Sequence, residues 1–359
     1  MKVLTVLGAR PQFIKAAVVS RAFARFPKIS ECMVHTGQHF DKNMSEIFFK
    51  ELSIPEPKYN LGIHEESQLA MLSGMLSGLE KVIKKEQPDL VLVYGDTNST
   101  LAGAIAAKSA GVQLAHVEAG MRSYRLQMKE EMNRVLTDRI SDFLFCATPS
   151  ASQNLVKEGY DRLPVRMVVT GDVMYDAFLF YDSKVKERKT KFPELANKQY
   201  VLCTLHRAEN VDRPDSLEGI VEAINELAKE YTIVLPLHPR TRNALKSAGF
   251  KINALIVEPQ GYLDMQFLVQ SSFAVITDSG GLQKEACFAG KPCVVVRDET
   301  EWTDLLDAGC LVLGGTFKTK IVEAFKQISS QRNLFNPSFF GDGKAGEKIA
   351  GFIDAQFQK

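Results

Sequence analysis

The stretch Ala274-Val275-Ile276-Thr277-Asp278-Ser279-Gly280-Gly281-Leu282-Gln283-Lys284-Glu285 decides the fold class. Its first four residues are apolar or β-branched with no polar face, as expected for a strand of a parallel sheet covered on both sides. Asp278 ends that strand. Ser279 and the paired glycines then open a helix, whose free N–H groups suit phosphate oxygens. Gly280 and Gly281 allow close approach to the backbone. Glu285 lies one helical turn beyond Gly281 on the same face, within reach of ribose hydroxyls. The plainer alternative is an ordinary Ser-Gly helix start followed by an exposed Glu.

Working outward, the same strand-turn-helix order recurs along the chain. Strands are expected at Val3–Leu7, Met33–His35, Leu90–Tyr94, Leu114–Val117, Phe143–Ala147 and Met167–Val169, and again at Tyr200–Thr204, Ile233–Leu237, Leu255–Val257, Ala274–Thr277 and Cys293–Val296. Helical patterns fill the gaps, including a buried Asn98–Ala110 and an amphipathic run that Asp215 would N-cap. Two rounds of alternation predict two Rossmann-like, doubly wound α/β domains with a ligand cleft between them. The first should span 1–175 and the second 176–342, the break falling where periodicity fades into the charged stretch Lys184–Lys191. A last helix within 343–359 is expected to pack back on the first domain.

Composition agrees and narrows the function classes. The 359 residues amount to two domains at about 150 each. Lys+Arg is 44 and Asp+Glu 43, a net charge of +1, which argues against a broad basic face for nucleic acid. With 45% hydrophobic and 24% charged residues, the chain is neither disordered nor fibrous. No apolar run reaches the ~18 residues of a membrane span, and Arg10 and Lys15 interrupt the apolar start too early for a signal peptide. Six cysteines lack CxxC or zinc spacing, so buried thiols in a cytoplasmic protein are expected, without a metal.

Unusual polar residues gather where strands should end. The first strand runs into Gly8-Ala9-Arg10-Pro11-Gln12-Phe13-Ile14-Lys15. Gly8 suits a tight turn, Pro11 a first helical position, and Arg10 and Lys15 a helix start that attracts phosphate. Two surface cations at a corner would explain them as well. Tyr94-Gly95-Asp96-Thr97-Asn98 puts Asp96 at a strand end, where either Asp96 or Thr97 simply caps the next helix or Asp96 is a reactive carboxylate. In His116-Val117-Glu118-Ala119-Gly120-Met121-Arg122, Glu118 follows a buried strand. It is either paired with Arg122 or held with a perturbed pKa for acid/base work. Glu131, in Glu130-Glu131-Met132-Asn133-Arg134, reads by itself as a surface complement to the helix dipole. Cys203-Thr204-Leu205-His206-Arg207-Ala208-Glu209-Asn210 brings His206 to a strand exit, and His238-Pro239-Arg240 repeats the pattern more weakly.

Together these segments resemble the non-hydrolysing UDP-N-acetylglucosamine 2-epimerase family. The resemblance covers most of the chain in order: GARPQFIK, HTGQHFD, YGDTNSTLAG, HVEAGMRS, EEMNR, TLHRAEN, PQGYL, TDSGGLQKEA and GKPCVVVRDETE. It implies glycosyltransferase-B architecture, a homodimer, no cofactor or metal, and a UDP-sugar as small-molecule partner. It also implies catalytic roles for Asp96, Glu118, Glu131 and His206. UDP-sugar contacts fall on Arg10, Lys15, Gln260, Ser279, Gly280, Gly281 and Glu285. The implied reaction inverts C2 of a UDP-2-acetamido sugar, by loss and return of UDP through a 2-acetamidoglucal, to supply surface polysaccharide.

Some positions depart from the family pattern. Lys129 stands where many relatives have Pro, and Trp302 where many have an Arg near the diphosphate. Met265 replaces an aromatic-type residue, and Asp172 a common Asn. With His35–Phe40 and Asn43–Phe49, these features resemble the branch acting on UDP-2,3-diacetamido-2,3-dideoxy-glucuronate. A glycosyltransferase of the same architecture would use Glu285 and the Gly280–Gly281 start identically, but it would not need three acid/base groups. A non-catalytic sensor would be expected to lack one or more of those carboxylates or His206.

Overall fold

Each apolar run becomes a parallel strand because both of its faces can be buried only under helices. The computed structural model describes residues 1–38, 52, 54–65, 67–195, 198–330 and 340–357, the side chains of Arg10, Lys189 and Thr190 excepted. Contacts divide the chain into two units, Met1–Leu179 with Ser338–Lys359, and Phe180–Pro337.

Among the described residues, the first unit has seven parallel strands: β1 (Lys2–Leu7), β2 (Ser30–His35), β3 (Tyr59–Asn60), β4 (Leu90–Tyr94), β5 (Gln113–Ala119), β6 (Phe143–Cys146) and β7 (Arg166–Val169). Their order is β3-β2-β1-β4-β5-β6-β7, so the winding reverses between β1 and β4. Leu4, Val6, Val91 and Val93 pack with Met75, Leu79 and Ala102 from covering helices, each large side chain contributing ~1.5–3 kcal/mol. The last helix, Ala345–Gln356, belongs to this unit. Its Phe352 meets Phe143 and Phe145 edge-on at 5.8 and 5.6 Å.

The second unit repeats the scheme with β8 (Tyr200–Thr204), β9 (Thr232–Pro236), β10 (Leu255–Val257), β11 (Ala274–Thr277), β12 (Cys293–Val295) and β13 (Leu311–Leu313). Their order is β10-β9-β8-β11-β12-β13, with the reversal between β8 and β11. The register Thr204↔Thr277 sets these two strand ends side by side.

Several local expectations change. The short edge strands β3 and β13 were not expected. Asp215 is not the N-cap: Pro214 starts the helix Pro214–Leu227 after Arg213, leaving Asp215 in the first turn. The first helix, Arg10–Phe23, begins at Arg10, so Pro11 is its second residue. Gly8 is needed for closeness rather than for a turn, since a Cβ there would collide with the Thr36 and Ser99 hydroxyls. All six cysteines are buried thiols outside any disulfide. Among the described residues, no helix is long and apolar enough to cross a membrane.

Candidate active site

In doubly wound sheets, ligands gather at the carboxyl strand ends where the winding reverses. In the first unit that point is held by Gln12. Its Oε1 accepts from the Gly8 and Ala9 N–H groups at 2.8 and 3.0 Å, and its Nε2 donates to the Tyr94 carbonyl and the Thr100 hydroxyl, both at 2.9 Å. Asp96 lies within electrostatic reach of Glu118, and Arg134 links it to Glu131. Asp96 accepts from Arg134 Nη2 at 2.6 Å, and its backbone carbonyl accepts from Asn133 at 2.9 Å. Burial pushes the Asp96 carboxyl up, and nearby Glu118 adds to this, although Arg134 and Lys15 oppose it.

Glu118 sits at a register shift between Val117 and Ala119, with φ of +71°, a left-handed conformation rare for this residue type. That bulge turns its side chain onto Lys15, and the two are only 11% and 9% exposed. Arg122 is therefore not its partner: that guanidinium donates to Asp138 at 2.7 Å and forks onto Glu158 at 2.7 and 2.8 Å. Glu131 is not a surface residue either. At 1% side-chain exposure it accepts from the Ser123 and Tyr124 N–H groups at 2.9 and 2.8 Å, and Arg134 lies 3.5 Å away. The Arg10 side chain and Asn43–Phe49 lie outside the described residues.

Behind the carboxylates lies a network that sequence reading missed. His116 Nδ1 is hydrogen-bonded to Asp138 at 2.7 Å, and His116 Nε2 donates to the Gly95 carbonyl at 2.7 Å. Burial pushes Asp138 up, but the bonds from His116 and the Arg122 charge outweigh it and hold the carboxyl below its ordinary value.

In the second unit, Asp278 is fully buried and organises the turn after β8. Its Oδ2 accepts from the His206 and Arg207 N–H groups at 2.9 and 2.8 Å. His206 Nδ1 approaches Oδ1 at 3.1 Å, an ion-pair distance without hydrogen-bond alignment, and the ring is 45% exposed. Burial pushes Asp278 up, yet His206 and the two N–H groups bring it below its usual value. Ser279 caps the helix Gly280–Phe288 by accepting from Leu282 N–H at 3.5 Å.

The two glycines at that helix start differ. A Cβ on Gly280 would strike the Glu301 carboxylate, which Arg297 holds at 2.9 Å, whereas one on Gly281 would meet nothing within 4 Å. Gly281 is thus the open approach. Trp302 carries Lys284 over its ring at 4.2 Å. Glu285 is buried, which pushes its carboxyl up to about 7 despite neighbouring Lys284. Gln260 lies just ahead of the helix Tyr262–Ser271 and donates to the Glu258 carbonyl at 2.5 Å. Among the described residues, no group of three or more His, Cys, Asp or Glu is gathered as for a metal.

The model of the family described as UDP-N-acetylglucosamine 2-epimerase matches residues 21–354. The chain belongs to this family. It is 50% identical over 355 residues to the UDP-2,3-diacetamido-2,3-dideoxy-D-glucuronate 2-epimerase of Pseudomonas aeruginosa, covering 98% of this chain and 99% of the relative. It is 41% identical to a UDP-N-acetylglucosamine 2-epimerase of Methanocaldococcus jannaschii, covering 97% and 98%. The crystal structure of the Methanocaldococcus jannaschii UDP-GlcNAc 2-epimerase in complex with UDP-GlcNAc and UDP matches at a TM-score of 0.92. That match has 39% identity and covers 99% of this chain and 100% of the other. The fold of this epimerase-family member is thus two α/β units with parallel sheets, as its sequence implied.

Proposed function

We propose that the protein inverts C2 of a UDP-2-acetamido sugar, and that the sugar is 2,3-diacetamido-2,3-dideoxy-glucuronate. What supports the reaction type is that two carboxylates, Asp96 and Glu118, lie within electrostatic reach of each other at one reversal point. Inversion needs proton transfer on both faces of C2, and a single carboxylate serves only one. The choice of sugar is supported by the 50% identity to the Pseudomonas aeruginosa enzyme, with UDP-GlcNAc as the comparison substrate.

In the proposed cycle a carboxylate takes the C2 proton, the C–H electron pair forms the C1=C2 bond, and the C1–O bond breaks. UDP leaves with the electron pair of the broken C1–O bond. UDP then returns to C1 while C2 is reprotonated from the other face. Asp96, beside Glu118 and held by Arg134, is the second carboxylate of this exchange. His206, Ser279 and the open N–H groups near Gly281 stabilise the departing diphosphate, and Glu285 takes the ribose. Glu131, engaged by the Ser123–Tyr124 backbone, holds that loop against Arg134.

We infer that the two units act as the functional domains, the first for proton transfer and the second for the nucleotide. We also infer a homodimer, supported by exposed Leu126, Met132 and Leu136 on the first unit. Six thiols outside any disulfide support a reducing cytoplasm, where the product would feed surface polysaccharide.

Incubation of both UDP-sugars in deuterated water, followed by NMR at C2, tests the reading. Deuterium at C2 of recovered UDP-sugar, with faster turnover of the diacetamido-uronate, is expected. Transfer to an added acceptor without exchange would indicate a glycosyltransferase and overturn it.

A further inference from the structure

Glu118 depends on an improbable backbone. Its own φ is +71°, Gly95 before Asp96 is at +64°, and Gly120 is at +80°. A glutamate at that φ persists only where its surroundings hold it, whereas the two glycines adopt theirs freely. One fully buried carboxylate grips both sides of the bulge. Asp138 Oδ1 takes His116 Nδ1 from two residues before Glu118, and Oδ2 accepts from Gly120 N–H, two residues after it, at 3.1 Å. The other nitrogen of His116 holds the Gly95 carbonyl, next to Asp96. His116 and Asp138 are both 0% exposed, so neither can touch a substrate.

Stability alone is a poor reason to keep them, because replacing a buried charged cluster with apolar groups is often neutral or stabilising. What the network does is fix where two carboxylates point. We propose that Asp138 and His116 are positioning residues that clamp the Glu118 bulge and the Gly95–Asp96 turn in the geometry needed for proton transfer at C2. The clamp rests on the proposed epimerase reading.

The test compares wild type, Asp138→Asn and His116→Gln. Asparagine keeps the shape of Asp138 but loses its charge, and glutamine cannot bond Asp138 and Gly95 as the imidazole does. Wild type is assayed first: no C2 exchange with either UDP-sugar would sink the epimerase reading itself. Given wild-type exchange, each variant should lower kcat roughly 100-fold, the cost of about 1 Å of misplacement. KM should stay within about threefold and the UDP dissociation constant should be unchanged, because ground-state binding is not what the clamp supplies. The double variant should be no slower than the worse single one, since the two act as one unit. A folded variant with kcat within about threefold of wild type overturns the clamp, as does a parallel loss of kcat, KM, UDP affinity and melting temperature. If Asp138→Asn does not fold, His116→Gln decides by the same criteria.

Discussion

At the reversal point of the first sheet, buried Asp138 holds the His116 imidazole and a backbone N–H. At that of the second, buried Asp278 holds His206 and two backbone N–H groups. The same pair serves two ends. His116 spends its second nitrogen on the Gly95 carbonyl and is sealed, whereas the His206 ring is nearly half exposed. One histidine is scaffold and the other is available to a ligand, and exposure decides between them. The strand ends differ in the same sense. The first presents carboxylates matched with cations on strained backbone. The second presents a capped helix start with one open glycine.

If that division is real, variants should separate proton transfer from nucleotide binding. The largest effect is expected for Glu118→Gln, which should cut C2 deuterium exchange by about 10³-fold or more while calorimetry finds UDP affinity unchanged. Loss of UDP affinity in parallel with exchange would break the comparison. His206→Ala is the converse: weaker UDP binding and slower turnover, with the first unit's hydrogen-exchange protection untouched.

The paired glycines give a finer contrast. Gly280→Ala must push Glu301 off Arg297, so a stability loss of about 1–2 kcal/mol by chemical denaturation is expected. Gly281→Ala has open space and should be within ~0.5 kcal/mol of wild type in stability, yet weaken UDP if the diphosphate approaches there. A neutral Gly280→Ala, or an unchanged UDP affinity in Gly281→Ala, would remove the distinction.

Which of these differences the sequence reveals follows from their range. Fully buried strands such as Leu90–Tyr94 and Ala274–Thr277 are legible because their apolar pattern is local. The two-residue β3 and three-residue β13 are too short to carry one. The Lys15–Glu118 pair spans 103 residues, and nothing near Glu118 announces a bulge. Glu131 is instructive, because its motif by itself reads as a surface first turn and only the resemblance points to a site role. The helix Lys129–Ile140 is inverted: Glu131, Arg134 and Asp138 face inward while Met132 and Leu136 are exposed. Spacings of three and four place those charges on one stripe, a signal present in the sequence that the usual apolar-inside rule conceals.

Glu285 offers a test by pH. Its burial raises the carboxyl to about 7, and in the proposed site the ionised form is the better acceptor for the two ribose hydroxyls. Between pH 8 and 6 the ionised fraction drops from about nine-tenths to a tenth, so UDP should bind roughly tenfold more weakly at the lower pH. Because UDP titrates in the same range, Glu285→Gln supplies the baseline and should flatten the difference. A wild-type profile identical to that of the variant would remove Glu285 from the nucleotide site.

The last effect concerns construction rather than chemistry. The first unit is built from two chain segments and the second from one. The returning helix is pinned by Asp176, which accepts from Gly346 N–H at 2.9 Å. Burial pushes this carboxyl up to about 6, with Asp172 and Asp342 adding to it, although the Gly346 and Ala345 N–H groups oppose the rise. A carboxyl raised on folding contributes stability that is fully present below its unfolded value and lost as pH rises through about 6. Wild type should therefore give up on the order of 2 kcal/mol from this group between pH 4 and 7. Asp176→Asn keeps an acceptor for Gly346 without the charge. It should match wild type at low pH and exceed it near pH 7 in denaturant midpoints. Parallel pH curves for the two proteins would show that the peg does not titrate in this range, and the first unit would then hold its returning helix by packing at Phe352 and Gly346 alone.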